Sequence, residues 1–426
     1  MASPLGLRGQ WPFRCTADRL FMPTVPIHKE FRLLSSTPNL TWQKKTPPAS
    51  GAHVNIWWLY LTMQRASKLG LTLGGSGQET VRATAEAALS VCAWDGHGYS
   101  VTPAYSRLKD YVKPFLSGTL GAGLALLQMD HAGYPWMAHW EDCGGQTTSA
   151  HPDFVFFRAA TATTPAAVCL AESKGSRATT TDLDVQKDWE RQVWSNRHQV
   201  LTLPGGGNVA PTEGTLVSSE LPGPAGKKRF RSTLVHGVFP SGLPAVTPAT
   251  ASSPGGGVGP NAAGGNQPLD QHAPEMDWRG IQRASLRHTC RLLDMPLTES
   301  ILASRFWDGF SLNLLFTQPR PSARRVVLEL RDRRALLGWD DQSEPDVVYA
   351  GPPQVVVQPD GSWWGATIYC RASVLREVLR GRVVDVVDTT ERRVRSWGEG
   401  GQQMIRLEAA DGVGLMVRKM FGAPGS

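Results

Sequence analysis

Two apolar runs of strand length near the middle of the chain constrain the fold more than any other feature. Residues 153–158 read DFVFFR and residues 166–174 read AAVCLAESK, with a short polar turn between them. Short apolar runs of this kind are typical of strands that are buried on both faces of a sheet. We therefore predict an antiparallel hairpin at the centre of the fold, with charged residues at the ends of its strands.

This hairpin would bring three charged residues to one edge of the sheet. Residues two apart in a strand point to the same face, so Glu172 and Lys174 project together while Ser173 points the opposite way. Asp153 begins the neighbouring strand and would lie beside them. Carboxylate oxygens suit Mg²⁺, with Mn²⁺ as a substitute, so Asp153 and Glu172 are candidate metal ligands. Lys174 would orient an attacking water and stabilise transition-state charge, which predicts phosphodiester hydrolysis.

The first 240 residues otherwise divide into segments with distinct patterns. Scattered prolines predict an irregular arm over residues 1–50, followed by a domain over residues 51–240. In this domain helical spacing indicates helices at 54–68, 78–92, 118–129 and 183–198, and strand patterns occur at 134–140 and 232–239. Gly118, Gly121 and Gly123 lack the third fingerprint glycine of a dinucleotide site, so helix packing explains them better.

The second part of the chain follows a segment of Pro, Gly, Ala and Ser. Residues 241–276 carry almost no large apolar side chains, which predicts a linker or a long surface loop. Residues 277–426 should form a smaller α+β domain, with helices at 278–293 and 298–307 and strands at 326–330, 355–358 and 363–369. A second Pro-Asp pair, at residues 359–360, looks like a hairpin turn between two of these strands.

Charge and cysteine usage narrow the choice of partner and compartment. The net charge of +7, from 44 basic and 37 acidic residues, suits a polyanionic partner without identifying one. The short basic run Lys227, Lys228, Arg229 and Arg231 is a candidate phosphate contact, although such runs are often only solvated loops. Six separated cysteines without a C-x-x-C pair and the absence of a bilayer-length apolar run predict a cytoplasmic protein without a membrane segment.

The sequence His151-Pro152-Asp153, followed after eighteen residues by Glu172-Ser173-Lys174-Gly175, resembles the PD-(D/E)XK nuclease superfamily. The resemblance covers roughly residues 115–240 and implies a restriction endonuclease-like αβββαβ core, with a mixed sheet flanked by helices, in an α/β fold. It also implies a magnesium-dependent reaction on DNA, with Asp153 and Glu172 as metal ligands and Lys174 as catalytic lysine. Defence against foreign DNA is the expected context, in which the C-terminal region recognises substrate or other protein subunits.

The resemblance also implies a further acidic residue and a polar residue on the helix after the lysine. Many members carry a glutamate on the first core helix, but residues 118–129 contain none, so Glu79, Glu86 or Glu141 would have to substitute. Gln192 lies on the helix after the lysine, where related nucleases often carry a glutamine or a basic residue.

Two alternatives to a nuclease remain open. The chain could be an inactive nuclease-fold subunit that binds nucleic acid or assembles with partners, or the triad could be accidental in another α+β protein.

Overall fold

The computed structural model describes most of the chain between residues 24 and 421. The described ranges are 24–35, 40–47, 51–67, 77–94, 98–204, 207–223, 228–240, 279–304, 321–337, 346–357, 362–382, 384, 393–397 and 404–421. The predicted linker at 241–276, Lys227 and the Pro-Asp pair at 359–360 lie outside these ranges.

A seven-stranded mixed sheet forms the centre of the first half. Its strands are β2 (Ile27–Ser35), β3 (Thr41–Lys45), β7 (Trp136–His139), β8 (Phe154–Arg158), β9 (Ala167–Ser176), β12 (Glu213–Glu220) and β13 (Arg231–Val238). They lie in the order β3-β2-β13-β12-β9-β8-β7. Strand β12 runs parallel to β9 and β2 runs parallel to β13, while the other pairs are antiparallel. Three short two-stranded pairs flank it: β1 (Thr24–Val25) with β4 (Ala52–His53), β5 (Cys92–Trp94) with β6 (Tyr99–Val101), and β10 (Leu201–Thr202) with β11 (Asn208–Val209).

Helices cover both faces of this sheet. They are α1 (Ile56–Ala66), α2 (Gly77–Ser90), α3 (Pro103–Ser106), α4 (Val112–His131) and α5 (Asp182–Gln192). Helix α4 crosses β9 and β12 and also packs on α1, whereas α5 packs on β12 and β13. In the part of the chain that the structure describes, no helix is both long enough and apolar enough to span a bilayer.

Two parts of the predicted organisation differ from the structure. The arm expected over residues 1–50 contains β2 and β3, and β2 is paired on both sides within the main sheet. The consecutive residues Glu30 and Phe31 of β2 are both buried, so this strand is covered on both faces near its centre. Strand β12 was also missed because its sequence, EGTLVSSE, is largely polar although every residue in it is buried.

A second, antiparallel sheet organises the C-terminal half, with strand order β14-β15-β17-β20-β19-β18 and β16 paired to β17. Its strands are β14 (Arg334–Leu337), β15 (Asp346–Ala350), β16 (Gln354–Val357), β17 (Trp363–Arg371), β18 (Arg393–Trp397), β19 (Met404–Glu408) and β20 (Val413–Phe421), and its helices are α6 (Arg279–Leu292), α7 (Pro296–Ala303), α8 (Pro321–Asp332) and α9 (Ala372–Leu379). Residues 326–330, expected as a strand, lie inside α8, where Val326 and Leu330 are buried at the four-residue spacing of one helix face.

The two halves share one hydrophobic core. Helix α6 packs on β7, and α1 contacts β20. Trp57 of α1 lies 5.5 Å from Trp364 of β17 between ring centroids, and Arg65 of α1 forms a buried ion pair with Asp411, whose side chain is fully buried. The C-terminal half therefore covers part of the first half rather than standing apart from it.

Candidate active site

Strand register sets Asp153 beside Glu172. The antiparallel β8–β9 pair places Phe154 opposite Ala171, and continuing this register by one residue brings Asp153 opposite Glu172. Directly opposed residues of an antiparallel pair have Cα atoms about 4.5 to 5.5 Å apart. The predicted hairpin is thus present, and it brings the two carboxylates of the predicted triad together.

Asp153 is fixed by hydrogen bonds to its neighbours. Its Oδ2 accepts from the backbone N–H of Ser173 at 3.0 Å and from the Ser173 hydroxyl at 2.6 Å. The segment leading to Asp153 is held from α5 and the turn after it. Gln192 Nε2 donates to the carbonyl of His151 at 3.2 Å, and Asn196 Nδ2 donates to the carbonyl of residue 150 at 2.9 Å. These bonds limit the positions that the Asp153 carboxylate can adopt.

Glu172 is a buried carboxylate with one ionic partner. Its side chain is 2% exposed, and the Lys174 ammonium lies 2.5 Å from Glu172 Oε1, as expected for residues two apart on one strand face. Burial, with the negative charge of Asp153, raises the pKa of Glu172 from an ordinary value of 4.5 to about 7, although Lys174 and Gln192 oppose the rise. The site therefore holds a carboxylate that is only partly ionised at neutral pH.

Two oxygen atoms at this site have no hydrogen-bond donor among the described residues. They are Glu172 Oε2 and Gln192 Oε1, both buried, although the Gln192 side chain is close enough to Glu172 to lower its pKa. A buried oxygen without a hydrogen-bond donor lowers the stability of the fold. A bound cation would offset this cost, because it interacts favourably with oxygen atoms that have no donor. With Asp153, these atoms form an oxygen-rich donor set of the kind that Mg²⁺ prefers. Across the described ranges, however, no cluster of three or more His, Cys, Asp or Glu side chains is arranged to bind a metal ion.

Close helix packing supports the end of β9 from the opposite face. A Cβ atom on Gly175 would lie 1.8 Å from the carbonyl oxygen of Ser117 in α4, and one on Gly121 would lie 2.6 Å from the Gly175 nitrogen. A Cβ on Gly123 would lie 2.6 Å from Met63, whereas one on Gly118 would meet nothing within 4 Å. The helix-packing interpretation therefore holds for two of the three α4 glycines.

The candidate replacements for a helix glutamate lie on other elements. Glu79 is exposed in the first turn of α2, and Glu86 of α2 is 3.6 Å from Arg82 and accepts a hydrogen bond from Tyr60 of α1. Glu141 lies in the short 3-10 turn Trp140–Cys143 after β7. The Trp140 N–H of this turn donates to the Asp153 carbonyl at 3.1 Å, so Glu141 is the acidic candidate next to the strand end that carries Asp153.

The loop that carries the basic cluster starts at the same end of the sheet as the triad. Strands β9 and β12 are parallel, and Glu220 is in register with Ser176, so the loop that begins at residue 221 leaves from the end of β9. Lys228 is exposed there. Arg231 instead donates two hydrogen bonds to the buried Glu220, at 2.7 and 2.5 Å, so its charge is matched by a carboxylate.

Sequence reasoning missed Arg177, which directly follows β9. This side chain is exposed, and its guanidinium lies 5.2 Å from the centre of the Tyr105 ring. The signal in the sequence was a basic residue three positions after Lys174. Arg177, Lys228 and Arg229 add basic side chains at this end of the sheet.

Comparison of the chain with protein-family models, with curated proteins and with solved structures found no match.

Proposed function

We propose that the protein is a metal-dependent DNA endonuclease whose active site comprises Asp153, Glu172 and Lys174. The observation that carries the proposal is the pairing of buried Glu172 with half-buried Asp153, in which Glu172 has a pKa of about 7 and, among the described residues, an oxygen without a hydrogen-bond donor. A strongly perturbed buried carboxylate next to a second carboxylate costs stability, and such groups concentrate at functional sites.

The order of elements around the site supports this proposal. Helix α4 is followed by the antiparallel strands β7, β8 and β9, then by α5, and then by β12, which is parallel to β9. This order is the one that the resemblance to PD-(D/E)XK nucleases implies, and we propose a restriction endonuclease-like core on this basis.

The residues present fit a hard divalent cation. Asp153, Glu172 and the Gln192 amide oxygen would hold it, and when bound it would activate water and offset negative charge on the phosphate. The Lys174 ammonium contacts one carboxylate oxygen of Glu172. Its ammonium is about one-third exposed and is thus available to stabilise charge that develops on the phosphate. Ser173 positions Asp153 through two hydrogen bonds.

DNA is the proposed substrate because basic side chains cluster beside the triad. Arg177, Lys228 and Arg229 lie at the sheet edge where β9 ends, and phosphate contacts by such residues supply sequence-independent affinity that weakens with salt.

The proposed cellular setting rests on cysteine usage and on the resemblance. The five cysteines that the structure describes form no disulfide, which suits the reducing cytoplasm. Defence against foreign DNA, with protein partners on the C-terminal half, remains the setting that the resemblance implies.

The test is a cleavage assay with supercoiled and linear DNA in Mg²⁺ or Mn²⁺. Wild type should nick or linearise the plasmid, and Asp153→Asn, Glu172→Gln and Lys174→Met should reduce cleavage by about a hundredfold or more. Glu79→Gln, on an exposed turn of α2, is the matched control and should cleave normally. Cleavage that persists in the three variants would exclude this triad. Salt-sensitive DNA retention by a wild type that does not cleave would instead support the binding-module alternative.

A further inference from the structure

A pocket in the C-terminal half lies between α8, the edge strand β14, the neighbouring β15, and α9. Its volume is about 280 Å³. Leu330 and Leu379 contribute apolar lining. Four arginines also line it, Arg331, Arg334, Arg376 and Arg380.

The positive charge of this pocket exceeds the negative charge that is paired with it. Arg380 Nη1 lies 2.7 Å from Glu377, but Glu377 is shared with Arg382 at 3.0 Å. Arg376 Nε donates to the uncharged hydroxyl of Tyr349 at 2.9 Å. Within the described ranges, no carboxylate lies within ion-pair distance of Arg334 or Arg376, so at least two guanidinium charges lack an acidic partner.

The pairing of the remaining arginine is weak. Arg331 lies 3.4 Å from its chain neighbour Asp332, and both side chains are about two-thirds exposed. Exposed ion pairs of this kind contribute little, typically about 0 to 1 kcal/mol, so Asp332 would not prevent Arg331 from contacting a ligand. Four guanidinium groups around one concavity therefore present a site for an anion.

The chemistry of the lining identifies the class of anion. Guanidinium groups bind phosphate through paired, charge-assisted hydrogen bonds, and several of them around one concavity favour phosphate over a single carboxylate. Inorganic phosphate would leave the apolar lining of Leu330 and Leu379 uncovered. A ligand that fills the pocket thus carries a phosphate and a compact apolar or aromatic group, as a nucleotide does.

We propose that this pocket binds the phosphate and base of a nucleotide, either free or at the end of a nucleic acid strand. The inference is independent of the proposed nuclease activity, because the described lining residues belong to α8, β14, β15, α9 and the residue after α9, and not to the sheet that carries Asp153, Glu172 and Lys174.

Calorimetric titration of the full chain with deoxyadenosine monophosphate and with deoxyadenosine tests this proposal. The nucleotide should bind, and removal of its phosphate should weaken binding by at least about tenfold. Arg334→Gln should weaken nucleotide binding by a similar factor without affecting deoxyadenosine. Arg325→Gln is the matched control, because Arg325 is an exposed arginine of α8 that does not line the pocket.

Competition distinguishes the two sources of nucleotide. Displacement of bound nucleotide by a 5′-phosphorylated duplex, but not by a 5′-hydroxyl duplex, would identify a strand end; displacement by mononucleotides alone would identify a free nucleotide. Absence of nucleotide binding, equal binding of deoxyadenosine and its monophosphate, or unchanged binding by Arg334→Gln would each overturn the proposal. DNA cleavage measured on the same samples reports separately on the nuclease triad.

Discussion

Replacing Glu172 with glutamine should stabilise the metal-free protein at alkaline pH. The folded-state pKa of this carboxyl is about 7, against an ordinary value of 4.5. At about 1.4 kcal/mol for each pH unit between these values, keeping the carboxylate ionised near pH 8 lowers the free energy of unfolding by about 3 kcal/mol. Glutamine has nearly the same shape and no charge, so Glu172→Gln should recover most of that free energy.

The sign of this effect depends on pH. Because the folded-state pKa lies above the unfolded-state value, the stability associated with protonated Glu172 is complete below about pH 4.5 and is lost as the pH rises through about 7. The gain from Glu172→Gln should therefore be close to zero near pH 4 and largest above pH 7. Urea unfolding followed by tryptophan fluorescence, with EDTA present, measures this difference, and Glu79→Gln serves as the exposed control.

Metal should narrow the difference between the two proteins. Magnesium at about ten times its dissociation constant would stabilise wild type by about 1.4 kcal/mol and should not affect the variant. Proton and metal compete for Glu172, so the apparent affinity for Mg²⁺ should weaken as the pH falls below about 7. A variant that is less stable than wild type near pH 8, or a difference that does not change with pH, would refute the reasoning.

Four further substitutions test the packing and charge of the site and of the core. Lys174→Met should leave DNA binding nearly intact and reduce cleavage by about a hundredfold or more, measured as single-turnover plasmid nicking, because it removes the ammonium that lies beside Glu172. Gly121→Ala should cost about 1 to 3 kcal/mol in urea unfolding, because its Cβ would lie 2.6 Å from a backbone nitrogen of β9. Gly118→Ala, which meets nothing within 4 Å, should instead gain about 0.5 to 1 kcal/mol, and equal effects at both glycines would contradict the packing argument. Arg65→Ala should destabilise by about 3 to 5 kcal/mol near neutral pH, because it leaves the fully buried Asp411 without its cation; a loss below about 1 kcal/mol would show that the pair is not structural.

The hairpin that carries the triad was predictable because its local pattern and its environment agree. Both faces of the sheet are buried at residues 154–157 and 168–170, and a strand in such a position needs apolar side chains at every residue. The uninterrupted apolar runs in the sequence therefore indicated where these strands lie. The pairing of Lys174 with Glu172 follows from strand periodicity alone, because residues two apart share a face.

Strand β12 shows why other parts were not predictable. Its buried polar groups are satisfied by distant residues: Arg158 donates to Glu213 at 3.2 Å, and Ser232 lies 3.2 Å from Ser219 between their hydroxyl oxygens. Such partners come from other strands, so a local window of sequence reads the segment as a polar loop. The environment of Gln192 Oε1, which has no hydrogen-bond donor among the described residues, also depends on three-dimensional packing. The position of Gln192 in the sequence indicated only that it was a candidate residue of the site.

The core that joins the two halves has a practical consequence for any attempt to divide the protein. Ending the chain at residue 240 would uncover Trp57, which packs beside Trp364, and would leave the buried Arg65 without Asp411. Because newly exposed apolar surface promotes self-association, we expect that fragment to aggregate when it is expressed alone. Coexpression with a fragment that begins near residue 279 should restore a non-covalent pair. The folding unit, and the smallest piece suitable for activity measurements, is therefore both halves together.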